Sequence, residues 1–351
     1  MKIKFINFKQ TFFLCTNLLL SLSAFANQKI CMVLDLGGKQ DKSFNQSAII
    51  GFQQAQESLG LSKESLFLEA KSDKQIQEFL SAFSIDPRCN LIISVGFNPS
   101  GYVKNLAEKY SDRKYLTIDN EVVSSKKNVR SALFREDQGG FLMGSIAAMK
   151  SHSKKIGIIG GMDIPVMKRF ALAYIAGAKY ISPKIEIFNN IIGTTADAWN
   201  NPSKAKEIAL SQFNNGADII FQVAGSSGLG IFEATKQMNH IKENEKKYYA
   251  IGVDLNQNDL APSMVLTSMI KHVDIAVYTA IKDLVEGKYS AETKYYDLRN
   301  GGIDWAFDKY NRPLFSGFEI RKINKIRSEI IDGKIKVPDY YEIAKKENKK
   351  I

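Results

Sequence analysis

The sequence predicts an α/β protein made of two doubly wound parallel-sheet lobes, and three observations carry that prediction. Short, continuous apolar runs alternate with helix-period segments over most of the chain, the pattern of parallel strands covered by helices on both faces. The pattern restarts near residue 155, so it describes two similar units rather than one. Glycines and aspartates gather where the apolar runs end, which is where an open α/β sheet presents backbone groups to a cleft.

The elements follow in order. "KICMVLDL" (29–36) reads as a buried strand. The glycines of "DLGGKQDKSFNQSA" (35–48) then turn the chain into a helix from about Ser43 to Ser58, with the Ser43 hydroxyl placed to cap it. "SLFLEA" and "NLIISVG" are strands flanking the helix "DKQIQEFLSAF". The helix "YVKNLAEKY" leads to the strands "KYLTID" and "RSALFRED", and "QGGFLMGSIAAMKS" is a helix with small residues on one face. The second half repeats the scheme. "KKIGIIGG", "KIEIFNNIIG", "ADIIFQVAG", "KYYAIGVD" and "SMVLTSMI" are its strands, with helices at "PVMKRFALAYIAGAKYI", "NPSKAKEIALSQFNNG" and "LGIFEATKQMN". A last helix, "HVDIAVYTAIKDLVEG", precedes the strand-like "TKYYDLRNGGIDWAF".

Residues 1–26 are of another kind. Lys2, Lys4 and Lys9 give a basic start, Thr11 to Phe25 is largely apolar, and Ala24-Phe25-Ala26 has the small-x-small form of a cleavage site. A secretory signal cleaved after Ala26 is expected, with the mature chain in the periplasm. The apolar stretch is shorter than the roughly 18 to 20 residues of a membrane-spanning helix. Cys15 follows Phe13-Leu14 inside the apolar run, so it does not fit a lipid-attachment site. Cleavage would remove three lysines and no acids, taking the net charge from +11 to +8. The positive charge gathers in "KINKIRSEIIDGKIK" and "KKENKKI", without the interleaved aromatics of a nucleic-acid-binding face, so no nucleic acid partner is expected.

No metal site is expected either. His152, His240 and His272 are scattered, and Cys31 and Cys89, the cysteines left after cleavage, form no C-x-x-C. In an exported chain such a pair invites a bridge. With the strand order 2-1-3-4-5, strands one and three are neighbours about 4.8 Å apart, and Cys31 and Cys89 lie at similar depth, far from the cleft. That spacing permits a disulfide, while two buried thiols are the alternative because side-chain direction is left open.

The strand ends supply the candidate site. The first delivers Asp35, then Asp41, Phe44 and Asn45 through its glycine loop; later ones deliver Gly96, Phe97 and Asn98, and then Asp119. The second half contributes Met162 and Asp163, then Phe221, Gln222, Ala224 and Gly225, and finally Asp254 and Lys271. Aromatic faces stack on rings, and carboxylates take hydrogen bonds from sugar hydroxyls or ring N–H groups, so the set suits an aromatic heterocycle carrying hydroxyls. Plainer roles exist for some members. Asp41 can bond its own loop backbone, Phe97 can close the core at a strand end, and Asp163 can cap the helix beginning near Pro165. Gly225, Gly228 and Gly230 are spaced GxxGxG rather than GxGxxG, and "GSSG" lacks the GxSxG elbow of a hydrolase.

Six blocks, "DLGGKQDKSFNQSA", "FREDQGGFLMGSIAAM", "IGIIGGMDIPVMKRFALAYIAGAK", "ADIIFQVAGSSGLGIFEA", "YYAIGVDLNQ" and "LTSMIKHVD", resemble the signature blocks of the basic membrane protein family, in family order over about residues 28 to 310. That family holds substrate-binding components of ABC importers, including purine nucleoside receptors. The resemblance implies a type I periplasmic binding protein fold with a hinge between its lobes. It implies an N-terminal lobe of 27–148 plus about 268–293, a C-terminal lobe of 149–267 plus about 294–345, and a ligand in the cleft. It also implies roles: Phe44 and Phe221 as rings on the two faces of a base, Asp119 as the carboxylate bonded to it, Asp254 and Lys271 near ribose hydroxyls, and Asn45 as the amide beside Phe44. Two blocks depart from the family, with Asn256 in place of a second acid and "AGSSG" in place of "AGGTG". The lipidated cysteine of most members is missing.

The function expected is capture of a nucleoside, a purine one by resemblance, for delivery to an ABC permease and its ATPase, by a monomer without a cofactor. Two other classes compete. A nucleoside-processing enzyme would need a base, nucleophile or metal in the cleft, and no histidine or cysteine is among the candidate residues. A ligand sensor signalling to a membrane partner would use the same fold.

Overall fold

The computed structural model describes residues 28–97, 100–241 and 247–348. The expected signal segment 1–26 and Asn98 lie outside the described residues. No helix among the described residues is long and apolar enough to cross a membrane.

The first sheet is wholly parallel. It runs β11 (Thr293–Tyr296), β5 (Val129–Phe134), β4 (Lys114–Ile118), β3 (Cys89–Val95), β1 (Lys29–Leu34), β2 (Leu66–Glu69). The second runs β12 (Ile303–Trp305), β10 (Val265–Lys271), β9 (Tyr249–Asp254), β8 (Ile219–Val223), β6 (Lys155–Gly160), β7 (Glu186–Ile191), with only β12 antiparallel. The central strands are buried along nearly their whole length, as continuous apolar runs require.

Helices α1 (Phe44–Ser58), α2 (Asp73–Ile85) and α3 (Ser100–Lys109) pack with the first sheet, and α6 (Pro202–Asn214) and α7 (Gly228–Ile241) with the second. The expected lobe boundaries shift in three places. Helix α4 (Glu136–Lys150), assigned with 27–148 to the first lobe, packs instead on α5 (Pro165–Ile181) and against β10 and β12 of the second sheet. Its small residues explain the partner: a Cβ on Gly144 would lie 1.9 Å from the Tyr174 carbonyl oxygen, and one on Gly177 equally close to that of Phe141. The two helices therefore approach at a distance only glycine allows. β10 stays in the second sheet through Lys271, so the chain returns to the first lobe later than 268. Helix α8 (Val273–Val285) then packs on α1, and β11 completes the first sheet up to Tyr296, beyond the expected 293. "TKYYDLRNGGIDWAF" is thus one strand in each sheet.

The tail returns to the second lobe. α9 (Gly317–Ile331) opens with a Ser316–Glu319 capping box and buries Ile323, Ile326 and Ile330, and α10 (Tyr340–Asn348) packs on α5.

Cys31 and Cys89 are joined in a disulfide with Cα atoms 5.9 Å apart. A register shift at Asn90 of β3 sets Cys89 opposite Lys29, so the bridge runs diagonally between side chains on one face of the sheet.

Candidate ligand site between the lobes

One pocket lies between the two sets of strand ends. The first lobe lines it with Asp35, Asp41, Phe44, Asn45, Phe97 and Asp119, and the second with Ala224, Gly225, Asp254 and Lys271. Each has a structural reason to be there. Asp119 directly follows β4 and Asp254 ends β9, and both hold left-handed backbone (φ 64° and 65°) that costs a non-glycine residue energy and turns its carboxylate into the cleft. Gly96, at φ 103°, ends β3, and a Cβ there would overlap the Asp35 carboxylate.

The loop before α1 works differently from expectation. Ser43 does not cap the helix through its hydroxyl. The Asp41 carboxylate does so, accepting the backbone N–H groups of Ser43, Asn45 and Gln46 at 2.8–3.0 Å. Asn45 is also spent on the loop. Its Oδ1 accepts the Asp35 N–H, and its Nδ2 donates to the carbonyls of Asp35 and Gly38. Asp41 and Asn45 thus shape the wall on which Phe44 is mounted. The Ser43 hydroxyl instead crosses the cleft and donates to the Asp254 carboxylate.

Lys271 is the electrostatic centre. Its Nζ donates to Asp119 Oδ2 at 2.6 Å and Glu136 Oε1 at 2.9 Å, and sits 5.1 and 4.9 Å from the ring centroids of Phe44 and Phe134. Glu136 in turn holds Arg169 at 2.8 Å, and Arg169 reaches Asp137 and Asp339 at 3.0 and 2.7 Å. Burial works against the Lys271 charge, but Asp119, Glu136 and Asp254 more than offset it and hold the amine above the ordinary lysine range. Burial pushes Asp35, Asp41 and Asp254 each up to about 6. It raises Asp119 as well, against the pull of Lys271. Asp119 Oδ1 is buried and has no hydrogen-bond partner among the described residues. An unsatisfied buried acceptor is costly, so this oxygen is available to a hydrogen-bond donor in the pocket.

Two expected members are elsewhere. Phe221 is fully buried, with its ring centroid 5.4 Å from Tyr174 and 6.2 Å from Phe170. It alternates with Ile220 along β8 and points into the core, two residues short of Val223, which does reach the pocket. Met162 packs against the cluster formed by the outer face of the second sheet and does not line the pocket. Asp163 pairs with Lys168 at 3.4 Å and provides no cap; the helix starts with Pro165 behind Ile164. Residues not anticipated take their places: Ile164, Val166, Met167 and Phe170 near the start of α5, and Trp199 from a short 3-10 turn (Ala196–Trp199). The α5 residues stand in the quoted "MDIPVMKRF", so a signal for them existed; Trp199 lies in no such block.

A profile of the ABC transporter substrate-binding protein PnrA-like (Bmp) family matches residues 28–340. The chain belongs to the Bmp family. Its Bmp relatives include the ABC transporter nucleoside-binding protein BmpA of Lactococcus lactis, 31% identical over 88% of this chain and 89% of that one. Basic membrane protein A of Borreliella afzelii is also 31% identical, over 88% and 91%. Among solved structures, an ABC transporter solute-binding protein from Aeropyrum pernix K1 superposes with a TM-score of 0.81 at 28% identity, covering 90% of this chain and 96% of that one. The Bmp chain therefore has the type I solute-binding fold and the family role of an ABC transporter substrate-binding protein. Its departure at Asn256 lies outside the pocket: the amide donates to Asp308 at 2.7 Å, where an aspartate would meet like charge.

Proposed function

We propose that this Bmp protein is a periplasmic receptor, exported by its N-terminal segment, that closes on a nucleoside and presents it to an ABC permease with its ATPase. The observation that carries this reading is the buried Asp119 Oδ1, without a partner among the described residues, in a pocket flanked by Phe44. A flat base could lie on the ring and give an N–H to that oxygen, and Asp254 would accept ribose hydroxyls. The relative named for nucleoside binding supports the ligand class. A purine is favoured by the resemblance to the purine nucleoside receptors of the family. Asp254 and Lys271 then bring the ligand into contact with strands of the second sheet, so the ligand would bridge the lobes as a monomeric receptor closes. Titration calorimetry with adenosine, inosine, guanosine, uridine and ribose tests this. Saturable binding of the purine nucleosides, recovered intact by chromatography, is expected, and binding of ribose alone with no nucleoside response would refute it.

A further inference from the structure

We propose that Trp199 is the aromatic wall opposite Phe44, the part that Phe221 cannot play. This rests on the nucleoside reading above. Phe44 lines the pocket from the first lobe and Trp199 from the second. Phe221, fully buried beneath Tyr174 and Phe170, has no surface to offer. The second lobe is built around the indole. An ideal Cβ on Gly161 would fall 2.4 Å from both Cε3 and Cζ3 of Trp199, so the six-membered ring lies directly on the backbone at the end of β6. Gly225 also lies close, with its Cβ direction 3.4 Å from the Trp199 carbonyl oxygen and 3.9 Å from Cε3. The turn carrying the tryptophan is pinned as well. The buried Ser227 hydroxyl donates to the Ala198 carbonyl at 2.7 Å and accepts the Asn201 N–H at 2.6 Å, bracketing residue 199. A large ring seated on glycine, carried on a turn pinned on both flanks and still partly exposed at the pocket wall, is preorganised as a stacking surface.

The chain has two tryptophans, and Trp305 sits on β12 among Phe307 and Phe315, so fluorescence can be assigned. In Trp305→Phe protein, saturating adenosine or inosine is expected to change the remaining Trp199 emission with the same midpoint as calorimetry. Trp199→Ala should weaken binding about 5- to 150-fold, the range of base–aromatic stacking, while Phe221→Leu stays within about twofold. Gly161→Ala should weaken binding in the parent protein and do little more in Trp199→Ala, because its effect runs through the displaced indole. Heat of binding with unchanged Trp199 emission and unchanged affinity in Trp199→Ala would overturn the proposal while leaving the nucleoside reading intact. No heat with any nucleoside would overturn both.

Discussion

At the scale of single residues, the site is a crowd of acids around one amine. Asp35, Asp41 and Asp254 are each raised to about 6 by burial, so the native state binds protons that the unfolded chain, titrating near 4, has released. Stability from these groups is fully present below about pH 4 and is lost as pH rises through 6. The unliganded protein should therefore melt at higher temperature at pH 5 than at pH 7.5, and Asp254→Asn should flatten the difference. Ligand affinity should move the other way. If Asp254 accepts ligand hydroxyls as proposed, protonating it weakens that acceptor, so binding is expected to weaken from pH 7.5 to pH 5. Scanning calorimetry and titration calorimetry over one pH series check both signs, and parallel trends would contradict the assignment. The carboxylates were legible in the sequence because they stand at strand ends. Their allotted work was less so: whether Asp41 faces ligand or backbone depends on a turn geometry that residue identity does not specify. Phe221 shows the same limit more sharply, since a shift of two residues along β8 separates the core from the cleft.

At the scale of elements, parallel sheets were readable because apolar runs without alternation demand burial on both faces. The helix α4 was misplaced because its small-residue face declares a close partner without naming it; only the matching Gly177 on α5 completes the contact. The bridge between β1 and β3 belongs to this scale. Thiol titration of the denatured, unreduced protein should find no reactivity at Cys31 or Cys89. Closing a loop with a sequence separation of 58 should contribute about 4 kcal/mol in the chain-entropy account. Reduction should lower the denaturation midpoint while leaving nucleoside affinity within about twofold, because the bridge lies at the end of the sheet away from the pocket. Two titrating thiols would show the bridge does not form.

At the scale of the whole molecule, the lobes touch through the protein itself as well as through any ligand. Ser43 reaches Asp254, the Gln257 amide donates to the Lys42 carbonyl at 2.8 Å, and Lys271 holds Asp119. Hydrogen bonds to charged groups contribute roughly 1.5 to 3 kcal/mol, so losing one shifts an open–closed balance about tenfold or more. Ser43→Ala should therefore enlarge the radius of gyration of the empty protein in solution scattering, and saturating nucleoside should restore it; an unchanged radius would show that the bond does not hold the lobes. Two lobes were plain from the repeated pattern, whereas these cross-lobe bonds join residues more than 150 positions apart and leave no local trace. Their consequence is kinetic. A receptor that shuts on itself hides its own binding surface, so solute must wait for a spontaneous opening before it can enter. At low solute the capture rate then follows concentration, and at high solute it follows the opening frequency alone. The buried serine and glutamine that join the lobes thus act as a metronome, setting the highest rate at which the receptor can be loaded however much solute surrounds it.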